Sequence, residues 1–315
     1  MIAQASPMAE QATEKGLGGG LTPQQLVFYR ENGFLSPIPA FTQQEARALR
    51  ASVEALEREY RSAPGGRDLN QYFRVNGHVV LPLLAEMART PAILDAVATI
   101  LGDDLMVWSV ELFIKEAGTA KIVSWHQDLT YWGMGETDEE LTAWIALSDV
   151  SREAGCMRFI PGSHKNAIVA HQDTFDADNL LSRGQEIAGI DEGQAVFGAL
   201  KPGEMSFHHG RTFHASGPNR STDRRIGVAI RYVTPHVKPV DGPADYAMLV
   251  RGQDHNSAWI NIASPTRPFE PHSLKLYEEI LAAQAAVLAG GAEGAVSLYE
   301  TKTGEAGSRT TEGSI

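Results

Sequence analysis

Two textures divide the chain. Between residues 22 and 101 apolar side chains recur at helical spacing, and beyond Gly102 they alternate at strand spacing. Thr22-Pro23-Gln24-Gln25 sets an N-cap, a proline at the first helical position and a glutamine at the third. It predicts a helix running to about Asn32, with Gly33 as its stop. Thr42-Gln43-Gln44-Glu45 repeats the capping box, and Ala46, Leu49, Val53 and Leu56 keep helical spacing to near Tyr60. Residues 79–101 predict two more short helices, the second opening at Thr90-Pro91. Leu105 to Ile114 alternates and is rich in Val, Trp and Phe, which predicts a strand. Further strands are expected over 121–127, 141–149, 156–160, 204–208 and 225–233.

Residues 165–200 lose this periodicity. They form a long polar loop with Asp173, Asp176, Asp178, Glu186, Asp191 and Glu192, of a length that suits a lid. Helices followed by many short strands predict a mainly β fold with flanking N-terminal helices, its core a sandwich or jelly roll. Residues 1–20, ending in Gly16-Leu17-Gly18-Gly19-Gly20, read as a flexible tail, 21–285 as a single domain, and 286–315 as a mobile C-terminal tail.

Charge narrows the partners. Lys and Arg number 27 against 39 Asp and Glu, a net charge of -12, which speaks against nucleic acid or an anionic membrane as the main partner. Cys156 is the only cysteine, so no intrachain disulfide can form, and a reducing cytoplasm fits. Met1–Gly20 lacks a basic stretch followed by an apolar core, and no apolar run reaches the roughly 18 residues of a membrane span, so neither a signal peptide nor a span is expected.

The chemistry concentrates in a few residues. His126 and Asp128 stand two apart in a predicted strand, where i and i+2 share a face. An imidazole and a carboxylate so placed can hold adjacent positions of an octahedral metal, and a third ligand must come from another strand; His214 fits. His-x-Asp alone is common as a surface pair. Other histidines compete: His208 ends a predicted strand and His209 enters the His209-Gly210-Arg211 turn, and either could line the site but reads better as a turn residue or satisfied core histidine; His164 reads as a tight-turn residue and His171 as solvated loop. His78, His236, His255 and His272 show no ligand spacing. Arg225-Ile226-Gly227-Val228-Ala229-Ile230-Arg231 puts Ile226, Val228 and Ile230 on one face, and Arg225, Gly227, Ala229 and Arg231 on the other. The small residues beside Arg225 leave room for a bound molecule, and a guanidinium grips a carboxylate through two parallel hydrogen bonds. Parity selects Arg225 over Arg224.

Three blocks carry a family resemblance: Trp125-His126-Gln127-Asp128-Leu129-Thr130-Tyr131, then Gly155-Cys156-Met157-Arg158-Phe159-Ile160-Pro161-Gly162-Ser163-His164-Lys165, then Phe213-His214-Ala215-Ser216-Gly217-Pro218-Asn219 through Arg225. With these the chain resembles, over roughly residues 20 to 270, the phytanoyl-CoA dioxygenase family of Fe(II)/2-oxoglutarate oxygenases. The resemblance implies a double-stranded β-helix, the cupin-like form of the jelly roll. It implies Fe(II) held by His126, Asp128 and His214, with O2 and 2-oxoglutarate as cosubstrates and succinate and CO2 as co-products. It further implies that Arg225 binds the distal carboxylate of 2-oxoglutarate, assisted by Ser216, that Trp144 lies beside it, and that Lys115 falls near a recurrent family lysine. Halogenating relatives replace the carboxylate ligand with Ala or Gly, so Asp128 points to hydroxylation. A metal-dependent hydrolase and a non-catalytic jelly-roll binding protein are the alternatives. Tyr131 and Trp132 would wall the substrate pocket, and Arg158, Arg211 and Arg231 would bind an anionic group if they point inward. The substrate is a small molecule, free or carrier-tethered. Its identity and the oligomeric state, monomer or homodimer, stay open.

Overall fold

The computed structural model describes residues 18–288 except 62–63, 175, 177, 182–183, 241–243 and 256–257. The expected tails therefore lie mostly outside the described residues. Both capping boxes form as the sequence dictates. Helix α1 (Pro23–Asn32) starts on the Thr22 side chain and stops at Gly33, whose φ of 79° is the left-handed region that glycine enters freely. Helix α2 (Gln43–Glu59) starts on Thr42. Helices α3 (Leu69–Arg74), α4 (Pro82–Met87) and α5 (Pro91–Leu101) follow; α3 has no counterpart in the sequence reading. Helix α6 (Pro271–Leu288) closes the described chain and runs past residue 285, where the tail was expected to begin.

The strands are β1 (Phe34–Pro39), β2 (Leu105–Lys115), β3 (Val123–His126), β4 (Glu140–Ala146), β5 (Met157–Phe159), β6 (Gln172–Asp173), β7 (Gln185–Glu186), β8 (Val196–Gly198), β9 (Glu204–His208), β10 (His214–Ser216), β11 (Arg225–Val233), β12 (Tyr246–Arg251) and β13 (Ile260–Asn261). A major sheet runs β1-β9-β4-β11-β2-β12-β13, and a minor sheet β3-β10-β5-β8. These are the two sheets of a double-stranded β-helix flanked by helices, as the sequence reading expects. The 165–200 segment departs from the expected bare loop. It carries the β6–β7 pair, and β8 adds to the minor sheet beside β5.

The major sheet separates two environments. Its outer face carries Leu141, Ala143 and Ile145 of β4, Ile226, Val228 and Ile230 of β11, and Val110 and Leu112 of β2. All are buried against helix residues such as Val53, Leu84, Ile93 and Val97. Burying each large aliphatic side chain contributes roughly 1.5–3 kcal/mol, so this face anchors the sheet to its helices. The inner face carries Thr142, Trp144, Arg225, Ala229, Arg231, Ser109 and Glu111, which line a cavity facing the minor sheet. Strand alternation thus puts apolar side chains under the helices and chemical ones in the cavity.

Candidate active site

His126 ends β3 and His214 begins β10, directly opposite it in the antiparallel register. Their rings lie 4.1 Å apart. Strand β3 stops at His126 rather than continuing to 127; Gln127 stays extended, and Asp128 opens a short 3-10 turn, Asp128–Tyr131. Because Gln127 is extended, Asp128 still emerges on the side of His126. Gln127 turns away and locks the neighbouring chain: its Nε2 donates to Arg211 O at 3.0 Å, and its Oε1 accepts from Val169 N at 2.9 Å.

The hydrogen bonds fix which atoms face a metal. Nδ1 of His126 lies 2.8 Å from Ser124 O, and Nδ1 of His214 lies 2.9 Å from Thr212 O. A carbonyl only accepts, so each Nδ1 carries the proton and each Nε2 keeps its lone pair for a metal. Oδ1 of Asp128 sits 3.3 Å from Nε2 of His126 and 3.8 Å from Nε2 of His214. The other oxygen, Oδ2, accepts from Thr142 Oγ1 at 3.1 Å and lies 3.3 Å from Nε2 of His208. The carboxylate is held by one oxygen and offers the other. One donor atom from each of His126, Asp128 and His214 falls within 4.8 Å of the rest, and all three residues are buried.

Protonation suits a divalent cation. Burial would raise Asp128, but its neighbours His214, His126 and His208 and the charge of Arg231 hold its carboxyl well below the usual range. Burial pushes His214 well down, helped by its histidine neighbours. A deprotonated carboxylate between neutral imidazoles is the state that binds metal without first losing a proton. Burial and the charge of Asp128 push the adjacent Glu140 well up, so Asp128 is the carboxylate left ionised here.

His208 ends β9, as the sequence reading expects, and is buried, but it lines the cavity, the less favoured of the two places that reading gave it, with its ring 4.4 Å from His214. Burial lowers it, so a neutral ring donates from Nε2 to Asp128. His171 differs too: it is half-buried, its Nε2 accepts from Gln127 N at 3.0 Å, and burial lowers it to about 4. His209 pairs with Asp138 at 3.1 Å, and His164 packs behind Gly33.

A second cluster lies further along the inner face. Arg225 is buried, with its guanidinium 4.8 Å from the centre of the Trp144 ring and Nη1 3.5 Å from Ser216 Oγ. Its Nε has no hydrogen-bond partner among the described residues. Burial lowers it to about 10, so it stays charged at neutral pH. Gly227 lies under Trp144, and a side chain there would overlap the indole ring. Lys115, across the register from Arg225, donates to Ser216 Oγ at 2.8 Å and Gly217 O at 2.6 Å. Burial, then Arg225, lowers it to about 6. A buried, incompletely satisfied guanidinium at the end of a cavity fits a carboxylate ligand, and the metal donors share that cavity. Arg224 by contrast faces outward and pairs with Glu57 and Glu116.

Trp132 lines the cavity and packs on Trp108 with ring centres 4.9 Å apart. Arg231 lies 4.7 Å over Trp132 and pairs with Glu111 at 3.0 Å. The side chain of Tyr131 lies outside the described residues. Arg158 and Arg211 are corrections. Arg158 turns to the opposite face of β5, where it pairs with Glu192 at 2.7 Å and covers Trp125, because Met157 and Phe159 occupy the inward positions. Arg211 pairs with Asp138 outside the cavity. Sequence reading also missed Glu111, Asp245 and Gln284 of the cavity wall.

Comparison with known proteins fits this geometry. Residues 29–227 match the phytanoyl-CoA dioxygenase (PhyH) family. A solved structure, the apo form of the non-heme monooxygenase ThoJ, is 35% identical and superposes with a TM-score of 0.76, covering 84% of this chain and 98% of that one. The probable alpha-ketoglutarate-dependent hypophosphite dioxygenase of Stutzerimonas stutzeri is 26% identical, over 71% of this chain and 84% of that protein. The ectoine dioxygenase of Bordetella bronchiseptica is 26% identical, over 67% and 75%. Among the described residues no helix is long and apolar enough to cross a membrane. Two histidines on facing strands and one aspartate just beyond the first, in a chain matched over most of its folded length, make this protein a member of the phytanoyl-CoA dioxygenase family, the Fe(II)- and 2-oxoglutarate-dependent oxygenases.

Proposed function

We propose that the protein hydroxylates an aliphatic C–H bond of a small molecule, consuming O2 and 2-oxoglutarate and releasing succinate and CO2. The observation that carries this is one cavity holding both the metal donors and the incompletely satisfied guanidinium of Arg225. Bound Fe(II) supplies the activation of O2 and the oxidising power. The chain supplies position. His126, Asp128 and His214 hold the metal, while Thr142 and His208 keep Asp128 turned toward it. Arg225, with Ser216 and Lys115 behind it, holds the distal carboxylate of the cosubstrate, and Trp144 and Gly227 shape its bed. Trp108, Trp132, Arg231 and Glu111 face the substrate.

A hydrolase would have no use for Arg225, and a non-catalytic binding protein would have no use for the triad. Asp128 favours hydroxylation over halogenation. Among the dioxygenase relatives two are named for the small polar molecules hypophosphite and ectoine and others for the thioester phytanoyl-CoA, so both free and carrier-bound substrates belong in the panel. One free buried cysteine, Cys156, fits a cytoplasmic setting. Succinate release with Fe(II), 2-oxoglutarate and a panel of small molecules tests the reading. Substrate-dependent succinate is the expected result, and the absence of both turnover and cosubstrate binding contradicts it.

A further inference from the structure

The substrate end of the cavity holds an unanswered acid. Glu111 sits mid-strand in β2, opposite Ala229 of β11, and is 7% exposed. Its Oε1 pairs with Arg231, but its Oε2 is buried without a hydrogen-bond partner among the described residues. A buried carboxylate oxygen left unmatched costs free energy unless a donor arrives, and within this cavity that donor is water or a ligand that displaces it.

Charge along the wall points the same way. The charged residues lining the cavity, among those described, are Glu111, Asp128, Arg225, Arg231 and Asp245. A metal answers Asp128, and the cosubstrate answers Arg225. Two carboxylates then face one guanidinium. Asp245 has its partners, Trp108 Nε1 at 2.6 Å and Gln284 Nε2 at 3.2 Å. Glu111 does not. Beside this acid stands an aromatic wall, Trp108 on Trp132; Arg231 already covers a face of Trp132, which leaves Trp108 as the ring that can meet a second cation.

Resting on the oxygenase reading above, we propose that Glu111 is a specificity residue that receives a positively charged nitrogen of the substrate. The substrate class is accordingly an amine, guanidine or imidazole base carrying an oxidisable C–H, rather than an acid gripped by Arg231.

The test uses the full chain loaded anaerobically with Fe(II). 2-Oxoglutarate is titrated first by visible absorbance. Calorimetry then compares three probes of one shape: phenethylamine as the cation, phenethyl alcohol as the neutral form and 3-phenylpropionate as the anion. The cation is expected to bind about tenfold tighter than either other probe, a difference in the range of one charge-assisted hydrogen bond. In Glu111→Gln, with circular dichroism confirming the fold, that preference falls to within about twofold. Equal or tighter binding of the anion, absence of any preference, binding by none of the three, or an unchanged preference in the variant overturns the proposal. The wild-type series stands without the variant. With 2-oxoglutarate binding intact, such a result removes only the role of Glu111; if 2-oxoglutarate does not bind either, the oxygenase reading falls with it.

Discussion

The two ends of the cavity are built differently. At the metal and cosubstrate end the functional side chains sit on strands or, for Asp128, two residues beyond the end of one, and each orientation is fixed by a named bond. Nδ1 of each ligand histidine meets a carbonyl two residues earlier, Asp128 is held by Thr142 and His208, and Arg225 lies on Trp144. At the substrate end Trp108, Glu111 and Arg231 still stand on strands of the major sheet, but the rest of the wall comes from separate pieces: Asn76 after α3, Trp132 after the 3-10 turn, Asp245 before β12, and Gln284 on α6. These meet through one chain of contacts, in which Asn76 Nδ2 donates to Gln284 Oε1 at 2.6 Å and Gln284 donates to Asp245. A reaction common to many substrates needs a rigid frame. Selectivity is carried by parts that can change without disturbing that frame.

Breaking the rigid end is expected to cost most. Asp128→Ala removes the anionic ligand, and Fe(II)-dependent succinate formation is expected to fall by roughly 10^4-fold, as for residues that act as a unit. Retention of wild-type turnover would remove Asp128 from the ligand set. Arg225→Ala next raises the KM for 2-oxoglutarate by about 10- to 100-fold, the loss of a charge-assisted pair, while Fe(II) binding persists. Thr142→Val frees one grip on Asp128 and is expected to weaken Fe(II) binding about tenfold, read by anaerobic metal titration. Gly227→Ala displaces the Trp144 ring at a cost of about 1–3 kcal/mol, visible as a lower Tm together with weaker 2-oxoglutarate binding. A lower Tm with unchanged cosubstrate affinity would separate the glycine from the site.

The last test is a pH slope. Lys115 titrates at about 6 in the fold, lowered by burial and then by Arg225. Between that value and the ordinary lysine range the unfolded chain binds a proton that the folded chain does not, so Lys115 makes stability rise with pH across this window. Below about pH 6 both states are protonated and the contribution levels off at its least favourable. Lys115→Met is expected to flatten the rise, followed by denaturant unfolding at several pH values. An unchanged slope would mean that Lys115 keeps its charge in the fold.

The contrast between the ends also explains what the sequence disclosed. The metal-end residues lie in short local motifs whose strand parity can be read directly; Arg225 follows from the alternation of Ile226, Val228 and Ile230 against small residues. His208 was legible by the same rule, since Met205 and Phe207 take the outer face and leave Ser206 and His208 inward. Its neighbours His209-Gly210-Arg211 pull the eye toward a turn. Glu111 has inward parity with Ser109 and Phe113, a polar position inside an apolar strand. Strand β1 hides because Pro37 and Pro39 interrupt it, β8 and β10 because three residues carry no period, and α6 because alanines blur its apolar stripe. No local pattern could bring Asn76, Asp245 and Gln284 together, since only tertiary packing joins them.

An anaerobic crystal structure with Fe(II) and 2-oxoglutarate tests the central claim most directly. The account predicts one metal on Nε2 of His126, Nε2 of His214 and one oxygen of Asp128, with the distal carboxylate of the cosubstrate on Arg225 and His208 on the carboxylate rather than on the metal. Metal bound by His208 in place of either ligand histidine, or cosubstrate bound away from Arg225, would contradict it.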